Sequence, residues 1–349
     1  MPVSAISMSL LTAPWFSFFR RLIRQRWFGI TLKVVVAVLL LGGLYLELRS
    51  RNNLPALWAE FSQQFGGAGW WWLPLAVVLM PLNWVVETLK WQPYMRHYQP
   101  LSIWQALRGV FAGISFTMFT PHQLGEYGGR LLYVQPEHRW KAIMINVVGS
   151  WAQYLVAVLA GVIGALIFLG QQLTLPPTML RYGALIAGVA LPLLLFGYFH
   201  IRRILPLARR IPLLHRLRPF VRDVYILQTF RQRDLWQIFG LATLRYVVFA
   251  TQYFFLLRFF GIPANLLAGY AGISTIFLVQ TIVPLPAIMG LLLRGNIALF
   301  VWSQFGANEV SALAATFTLW IINLILPALI GTFSLFYVNI PKTLGYENE

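Results

Sequence analysis

The sequence predicts an all-α protein that crosses a membrane several times. Of its 349 residues, 58% are hydrophobic and only 11% are charged, and the mean hydropathy is +0.68. An ordinary soluble domain has about 25% charged residues. Apolar runs separate the charges, and several reach the length of about 20 residues that a spanning helix needs. This composition excludes a soluble globular domain, a disordered chain and a nucleic-acid-binding domain.

About six apolar segments are clear candidates for full spans, and two further regions are apolar but broken. The spans are predicted at 30–47, 70–90, 142–169, 179–199, 236–260 and 310–338. The broken regions are 102–133, interrupted at 120–126, and 266–304, interrupted at 283–286. They predict two helical hairpins. Counting the crossings leaves open whether these hairpins are re-entrant or spanning.

The distribution of basic residues orients the chain. The segment 200–235 carries nine Arg against two Asp, and Lys and Arg collect on the cytoplasmic side of membrane proteins. We therefore expect 200–235 and both termini in the cytoplasm. The loops expected outside are 48–69, 171–178, 261–265 and 305–309.

The chain as a whole is divided into one membrane domain and two short flanks. Residues 1–29 are basic and form either an amphipathic helix in the membrane interface or a short flank that only sets topology. The membrane domain is predicted at 30–338, with 339–349 as a cytoplasmic tail. The net charge is +17, so the expected partners are anionic lipid headgroups and not nucleic acid.

A weak internal repeat connects the two broken regions. The run Ala-Gly-Ile-Ser occurs at 112–115 and again at 271–274. Each copy precedes a Pro-x-x-x-Gly break that is followed by an Arg, and long apolar helices flank both units. The predicted orientation of the two units is opposite. This pattern favours an inverted repeat, in which paired broken helices mark the central site of a transporter.

The breaks predict a polar site inside the membrane. Unwound backbone is tolerated at that depth only where protein or a water-filled cavity satisfies it, and helix N-termini attract anions. Arg130 and Arg294 are expected to hold a lipid phosphate there. Glu126 has His122 and Arg130 at i−4 and i+4, and it either forms a structural ion pair or exchanges a proton. Arg245 is either a site residue or the partner of an acid elsewhere.

The predicted substrate-binding residues combine the two breaks with these charged side chains. They are Pro121, His122, Gly125, Glu126, Arg130, Arg245, Pro286, Gly290 and Arg294. No catalytic residue, metal or cofactor is expected, because the chain has no Cys and its ten Asp and Glu form no paired cluster in any loop. Glu87 is expected only to pair with Lys90 or to snorkel.

The first break, Thr-Pro-His-Gln-Leu-Gly-Glu at 120–126 followed by Arg130, resembles the flippase-like transmembrane family. This family comprises the membrane domain of lysylphosphatidylglycerol synthases and its stand-alone relatives. The family also carries a later Pro-x-Pro-Gly-Gly-x-Gly element that ends in an acidic residue. Here that element is Pro-Leu-Pro-Ala-Ile-Met-Gly at 284–290, so the double Gly is lost. Arg294-Gly295 stands where an Arg-Glu pair is typical.

The resemblance implies translocation of lipids between leaflets, or binding of aminoacylated phospholipids or polyprenyl-phosphate conjugates. The synthases add a soluble transferase domain, whereas only 339–349 follow the last predicted span here. We therefore expect a lipid transporter or flippase in the cytoplasmic (inner) membrane of a bacterium. Two alternatives remain: a membrane-embedded transferase acting on a lipid phosphate, and a non-catalytic subunit that docks a soluble partner through 200–235.

Overall fold

The computed structural model describes residues 54–117, 125–173, 175–203, 227–283 and 290–336, which are almost entirely helical. Within these ranges the chain forms twelve α-helices and no strand, together with a 3-10 turn at Pro136–His138 and a π-helical turn at Ile321–Ile325. The helices are α1 Leu54–Phe65, α2 Trp72–Leu89, α3 Gln92–Met95, α4 Ile103–Thr117, α5 Gly125–Leu131, α6 Arg139–Gln172, α7 Pro177–Phe199, α8 Gln232–Phe259, α9 Leu266–Ile282, α10 Gly290–Ser303, α11 Glu309–Trp320 and α12 Leu326–Phe336.

Five helical segments are long and apolar enough to cross a membrane. They are Trp72–Met95, Pro136–Gln172, Pro177–Phe199, Gln232–Phe259 and Glu309–Leu335. Each overlaps one of the predicted spans, so the all-α polytopic fold is confirmed. The sixth predicted span, 30–47, lies outside the described residues. So do 1–29, the tail 339–349 and most of the basic segment 200–235.

Both broken regions contain a pair of shorter helices. In the first, α4 and α5 run antiparallel, because Gly109 lies against Arg130 and Gly113 lies against Glu126. In the second, Gly272 of α9 lies against Val301 and Trp302 of α10. The helices α4, α5 and α10 have 15, 7 and 14 residues, fewer than the roughly 20 that a full span needs. The connecting residues 118–124 and 284–289 lie outside the described ranges.

Close helix contacts at glycines hold the bundle together. A Cβ atom at Gly129 would overlap the backbone of Gly113, and one at Gly331 would overlap the carbonyl of Phe111. These contacts fasten α4 to α5 on one side and to α12 on the other. Small residues at helix interfaces let backbones approach in this way, and lipid-embedded helices depend on such packing.

The long helix α6 packs along α9 through small residues. Gly161 lies against Leu278, and Gly164 lies against Ser274. A second long pair, α2 with α8, stands beside it. The hairpin α4–α5 therefore joins α2, α6 and α12, and the hairpin α9–α10 joins α6, α8 and α11. Both hairpins reach the interior of one helical bundle.

The helix α7 lies at the edge of the bundle. Its apolar side chains are largely exposed, including Leu185, Ile186, Val189 and Leu193. A large exposed apolar surface marks a membrane or protein contact, and a mostly apolar helix of 23 residues is long enough to lie against lipid across the whole bilayer.

The segment 48–69, expected as an outer loop, contains the helix α1. Its aromatic residues explain this difference, because Phe61 and Phe65 stand four residues apart on one face of a helix. Both contact the ring of Phe259 at the end of α8, with centroid distances of 5.9 and 5.8 Å. The aromatic contacts between α1 and α8 give this short helix a packing surface. In the sequence, the polar residues that flank α1 make this apolar face hard to recognise.

The last predicted span, 310–338, is not one uniform α-helix. A π-helical turn at Ile321–Ile325 separates α11 from α12. Pro327 has no N–H, so the carbonyl of Asn323 lacks its usual helical partner. The wider turn directs the side chain of Asn323 at α2, where its Oδ1 accepts a hydrogen bond of 3.0 Å from Nδ2 of Asn83. Single π-helical turns occur frequently at functional sites.

Candidate functional site

Glu87 is the centre of a buried cluster of charges. It lies on α2, and three cations contact its carboxylate: Lys90 Nζ at 2.6 Å, an Nη of Arg130 at 2.6 Å and an Nη of Arg245 at 2.8 Å. The side chains of Glu87 and Lys90 are 4% and 2% exposed. A buried carboxylate is stable only with such partners, because an unpaired charge loses its hydration inside the protein.

Glu126 and Arg130 share one face of α5. Their side chains form an i,i+4 ion pair of 3.1 Å, as the sequence spacing predicts. Arg130 also donates to the side-chain oxygen Oδ1 of Asn146 on α6, and its guanidinium lies 5.6 Å from the ring of Trp91. Arg130 is therefore held by two carboxylates, an amide and an aromatic ring.

Arg245, midway along α8, is held on one side and open on the other. Its Nε donates to Oδ1 of Asn83 at 2.9 Å, and its Nη1 pairs with Glu87. The guanidinium lies over the ring of Trp84 at 5.1 Å. Among the described residues, its Nη2 has no hydrogen-bond partner. The side chain is 14% exposed and faces a cavity. Both roles expected for Arg245, partner of an acid and residue of the site, fit this position.

This cavity has a volume of about 260 Å³ and lies where the two hairpins meet the long helices. Its wall includes Glu126 from the first hairpin, Arg294 from the second, and Arg245 from α8. The rest of the wall is mostly aromatic and hydroxyl-bearing and includes Trp84, Tyr154, Tyr246, Phe249, Tyr253, Phe277, Thr281, Thr316 and Trp320.

A smaller cavity of about 90 Å³ connects this wall with the charge cluster. It is lined by Glu87 and Lys90 and shares Glu126, Arg245 and Thr281 with the larger one. A polar space of this size holds water molecules with several partners each. The cluster and the larger cavity therefore form one continuous polar region inside the bundle.

Two polar side chains on the cavity wall are free to bind a ligand. Arg294 has no carboxylate within ion-pair distance among the described residues, and Gln280 has no hydrogen-bond partner there. By contrast, Gln153 accepts from Lys90 at 3.2 Å and donates to the carbonyl of Ala242 at 3.4 Å. Together with the Nη2 edge of Arg245, the guanidinium of Arg294 and the amide of Gln280 therefore offer N–H donors to the cavity.

The structure brings together three of the nine predicted site residues on the cavity wall: Glu126, Arg245 and Arg294. Arg130 does not line the cavity and lies behind Glu126. Gly125 and Gly290 begin α5 and α10, with Gly125 packed on the backbone of α4. Pro121, His122 and Pro286 lie outside the described residues. Arg245, and not Arg130, therefore lines the cavity together with Arg294.

Three residues were underestimated from the sequence: Asn83 and Glu87 on α2, and Lys90, which directly follows that helix. Glu87 does pair with Lys90, as expected, but it also anchors Arg130 and Arg245. A signal was present, because positions 83, 87 and 90 follow the i, i+4, i+7 spacing of one helix face in an otherwise apolar span. Asn146 and Gln153 make hydrogen bonds between helices.

The arrangement suits the binding of an anion. Guanidinium groups present several N–H donors in a planar fork that matches phosphate and carboxylate oxygens. Within the described ranges, no group of three His, Asp or Glu lies close enough together to hold a metal ion. The described chemistry of the cavity is therefore that of fixed cations, aromatic rings and hydroxyl groups.

The fold and cavity define a multi-pass helical membrane protein with a charged interior. The chain belongs to the family described as the lysylphosphatidylglycerol synthase TM region, whose model matches residues 30–331. This confirms the family that the first break suggests. No curated protein and no solved structure matches the chain.

Proposed function

We propose that this chain is a lipid transporter that binds an anionic lipid headgroup in the 260 Å³ cavity and moves it between leaflets. The observation that carries the proposal is the pair Arg245 and Arg294, which face one cavity from separate helices. Charged side chains inside a membrane are costly and occur mainly where they serve function. A phosphate between two guanidinium groups would receive donors from both.

The size and lining of the cavity support a headgroup as the ligand. Pockets for drug-sized molecules measure about 300–1,000 Å³, so a space of 260 Å³ suits a compact polar group. Aromatic residues such as Trp84 and Tyr246 offer apolar surface beside the cations. In this proposal the acyl chains stay in the surrounding bilayer while the headgroup occupies the polar interior.

Glu126 and the charge cluster behind it are proposed to allow the lipid headgroup to move through the cavity. Arg130 and Arg245 both contact Glu87, and Glu126 reaches both Arg130 and the cavity. When a headgroup enters, Glu126 changes the balance of charges by orienting Arg130 or by exchanging a proton. The proposed location is the inner membrane of a bacterium, with both termini in the cytoplasm, which the nine Arg of 200–235 support.

Purified protein in liposomes tests the proposal against its alternatives. A fluorescent anionic phospholipid placed in one leaflet should become accessible in the other faster than in empty liposomes. Release of a new lipid product without flipping would indicate a transferase instead. If neither occurs until a soluble partner is added, the chain acts as a docking subunit and the proposal is wrong.

A further inference from the structure

The charges around the cavity do not balance. Within the described residues, four cations lie in the cluster or on the cavity wall: Lys90, Arg130, Arg245 and Arg294. Two carboxylates oppose them, Glu87 and Glu126. Four positive and two negative charges leave a formal excess of +2.

The connecting residues of the hairpins add no acid that would cancel this excess. The sequence at 118–124 is Met-Phe-Thr-Pro-His-Gln-Leu, and at 284–289 it is Pro-Leu-Pro-Ala-Ile-Met. Neither contains Asp or Glu. The other acids nearest to these cations along the chain are Glu137, Asp234 and Glu309. Glu137 is exposed in the turn before α6, and Asp234 and Glu309 lie in the first turns of α8 and α11.

The uncompensated charge has a definite position. Glu87 and Glu126 both contact Nη2 of Arg130, and Glu87 also holds Lys90 and one edge of Arg245. The free edge of Arg245 and the whole guanidinium of Arg294 remain, and both lie on the cavity wall. In a medium of low dielectric constant, such an excess attracts anions strongly and rejects cations.

We propose that the ligand carries a doubly charged phosphate, as a phosphomonoester or a diphosphate, rather than a singly charged phosphodiester or an amine-bearing headgroup. This inference rests on the proposed function and names its substrate class. A phosphomonoester carries about −1.5 to −2 charges at pH 7, which offsets the excess of +2. A phosphodiester leaves one cation unneutralised. Among the described residues, the larger cavity offers an amino group one carboxylate, Glu126, which is already paired with Arg130.

Two lipids of nearly equal size separate these cases. Phosphatidic acid has a doubly charged phosphate, and phosphatidylmethanol differs from it by one methyl group and one charge. The chain has no Cys, so Thr281→Cys places a single thiol in the cavity wall. We would measure how each lipid, mixed into phosphatidylcholine nanodiscs, slows the reaction of this thiol with a soluble reagent. A thiol at exposed Ser303 is the control for reagent access.

Phosphatidic acid should protect the thiol at about a tenfold lower fraction than phosphatidylmethanol, because one additional charge-assisted contact is worth about a factor of ten or more. Arg294→Gln should remove this difference, and Arg294→Lys should keep most of it. Arg181→Gln removes the same charge from an exposed position and should change nothing. Size-exclusion profiles and thermal midpoints verify that each variant is folded.

Other results separate the inference from the proposed function. Both lipids could protect the thiol equally, with the protection lost in Arg294→Gln. In that case the ligand does not need a doubly charged phosphate, but the cavity still binds a lipid. Protection by neither lipid nor inorganic phosphate overturns both. Inorganic phosphate is the third arm of the experiment. If it protects the thiol and neither lipid does, the doubly charged ligand is supported but its source is free phosphate, which contradicts a lipid transporter.

Discussion

Glu87 shows how one residue determines the arrangement of several others. Its carboxylate contacts Lys90, Arg130 and Arg245, which come from three different helices or turns of the bundle. These contacts turn one edge of Arg245 toward the protein and leave the opposite edge for the cavity. We therefore regard Glu87 as a positioning residue for Arg245 and not as a ligand-binding group of the larger cavity.

Glu87→Gln should destabilise the protein strongly. Removing one partner of a buried ion pair typically costs about 3–5 kcal/mol, because the remaining charge stays buried without compensation. Here three cations lose their common partner. Thermal unfolding in detergent should show a clearly lower midpoint than for the unchanged protein. The matched control is Glu137→Gln, an exposed acid in the turn before α6. An unchanged midpoint in Glu87→Gln would contradict the assigned role.

At the scale of helices, close backbone contact explains why the first hairpin folds back on itself. Three glycines of the pair α4–α5, Gly113, Gly125 and Gly129, have no room for a side chain. The neighbouring Gly128 faces open space, with no atom near the position of an added Cβ. This difference between adjacent glycines allows a controlled test of the packing.

Gly129→Ala should destabilise the hairpin by about 1–3 kcal/mol, because an added methyl group forces the two helices apart. Gly128→Ala should be neutral or stabilising by about 0.5–1 kcal/mol, since Ala favours a helix more than Gly does. Thermal midpoints of the two purified variants provide the comparison. Equal midpoints would show that α4 and α5 are not packed as closely as described.

Much of the helical framework was predictable from apolar runs, because a spanning helix must be about 20 residues long and nearly free of charge. Five predicted spans correspond to described helices for this reason. The helix α1 and the π-helical turn at Ile321–Ile325 were not predicted. Both depend on contacts with distant residues, Phe259 for the first and Asn83 for the second, and local periodicity contains no record of such contacts.

The candidate site was predictable only in part. Glu126 and Arg294 stand out in the sequence because each is a charge beside a helix break. The ion pair between Glu87 and Arg245 joins residues 158 positions apart, and nothing in the spacing of either helix indicates it. The sequence therefore identifies local pairs such as Glu126 with Arg130 but not the pairing between distant helices, and that pairing determines which cation remains available to a ligand.

For the whole molecule, the orientation in the membrane is a separate prediction. The basic segment 200–235 should face the cytoplasm, and 171–178 should face outward. A thiol introduced as Thr174→Cys should react with an impermeant reagent only from outside, and one introduced as Gln232→Cys only from inside. Labelling of residue 174 from the cytoplasm alone would overturn the orientation, whatever the role of the cavity.

The internal symmetry of the molecule also remains a prediction. The repeated Ala-Gly-Ile-Ser runs lie on α4 and α9, and the glycine of each run contacts the second helix of its own hairpin. This shared packing agrees with two related units. Their inversion relative to the membrane depends on the orientation that the labelling of residues 174 and 232 would establish.

The most direct test of the account is the rate of lipid flipping in the double variant Glu126→Gln with Arg294→Gln. Arg130 keeps Glu87 and Asn146 in this variant, and Arg294 gives up no described ion pair, so the protein should remain folded. The control is Glu137→Gln with Arg181→Gln, which makes the same charge changes at exposed positions. Per correctly folded molecule in liposomes, we expect flipping of an anionic phospholipid to fall by about tenfold or more in the first variant and to stay normal in the second. Normal flipping in a stable Glu126→Gln, Arg294→Gln protein would contradict the assignment of this cavity as the transport site.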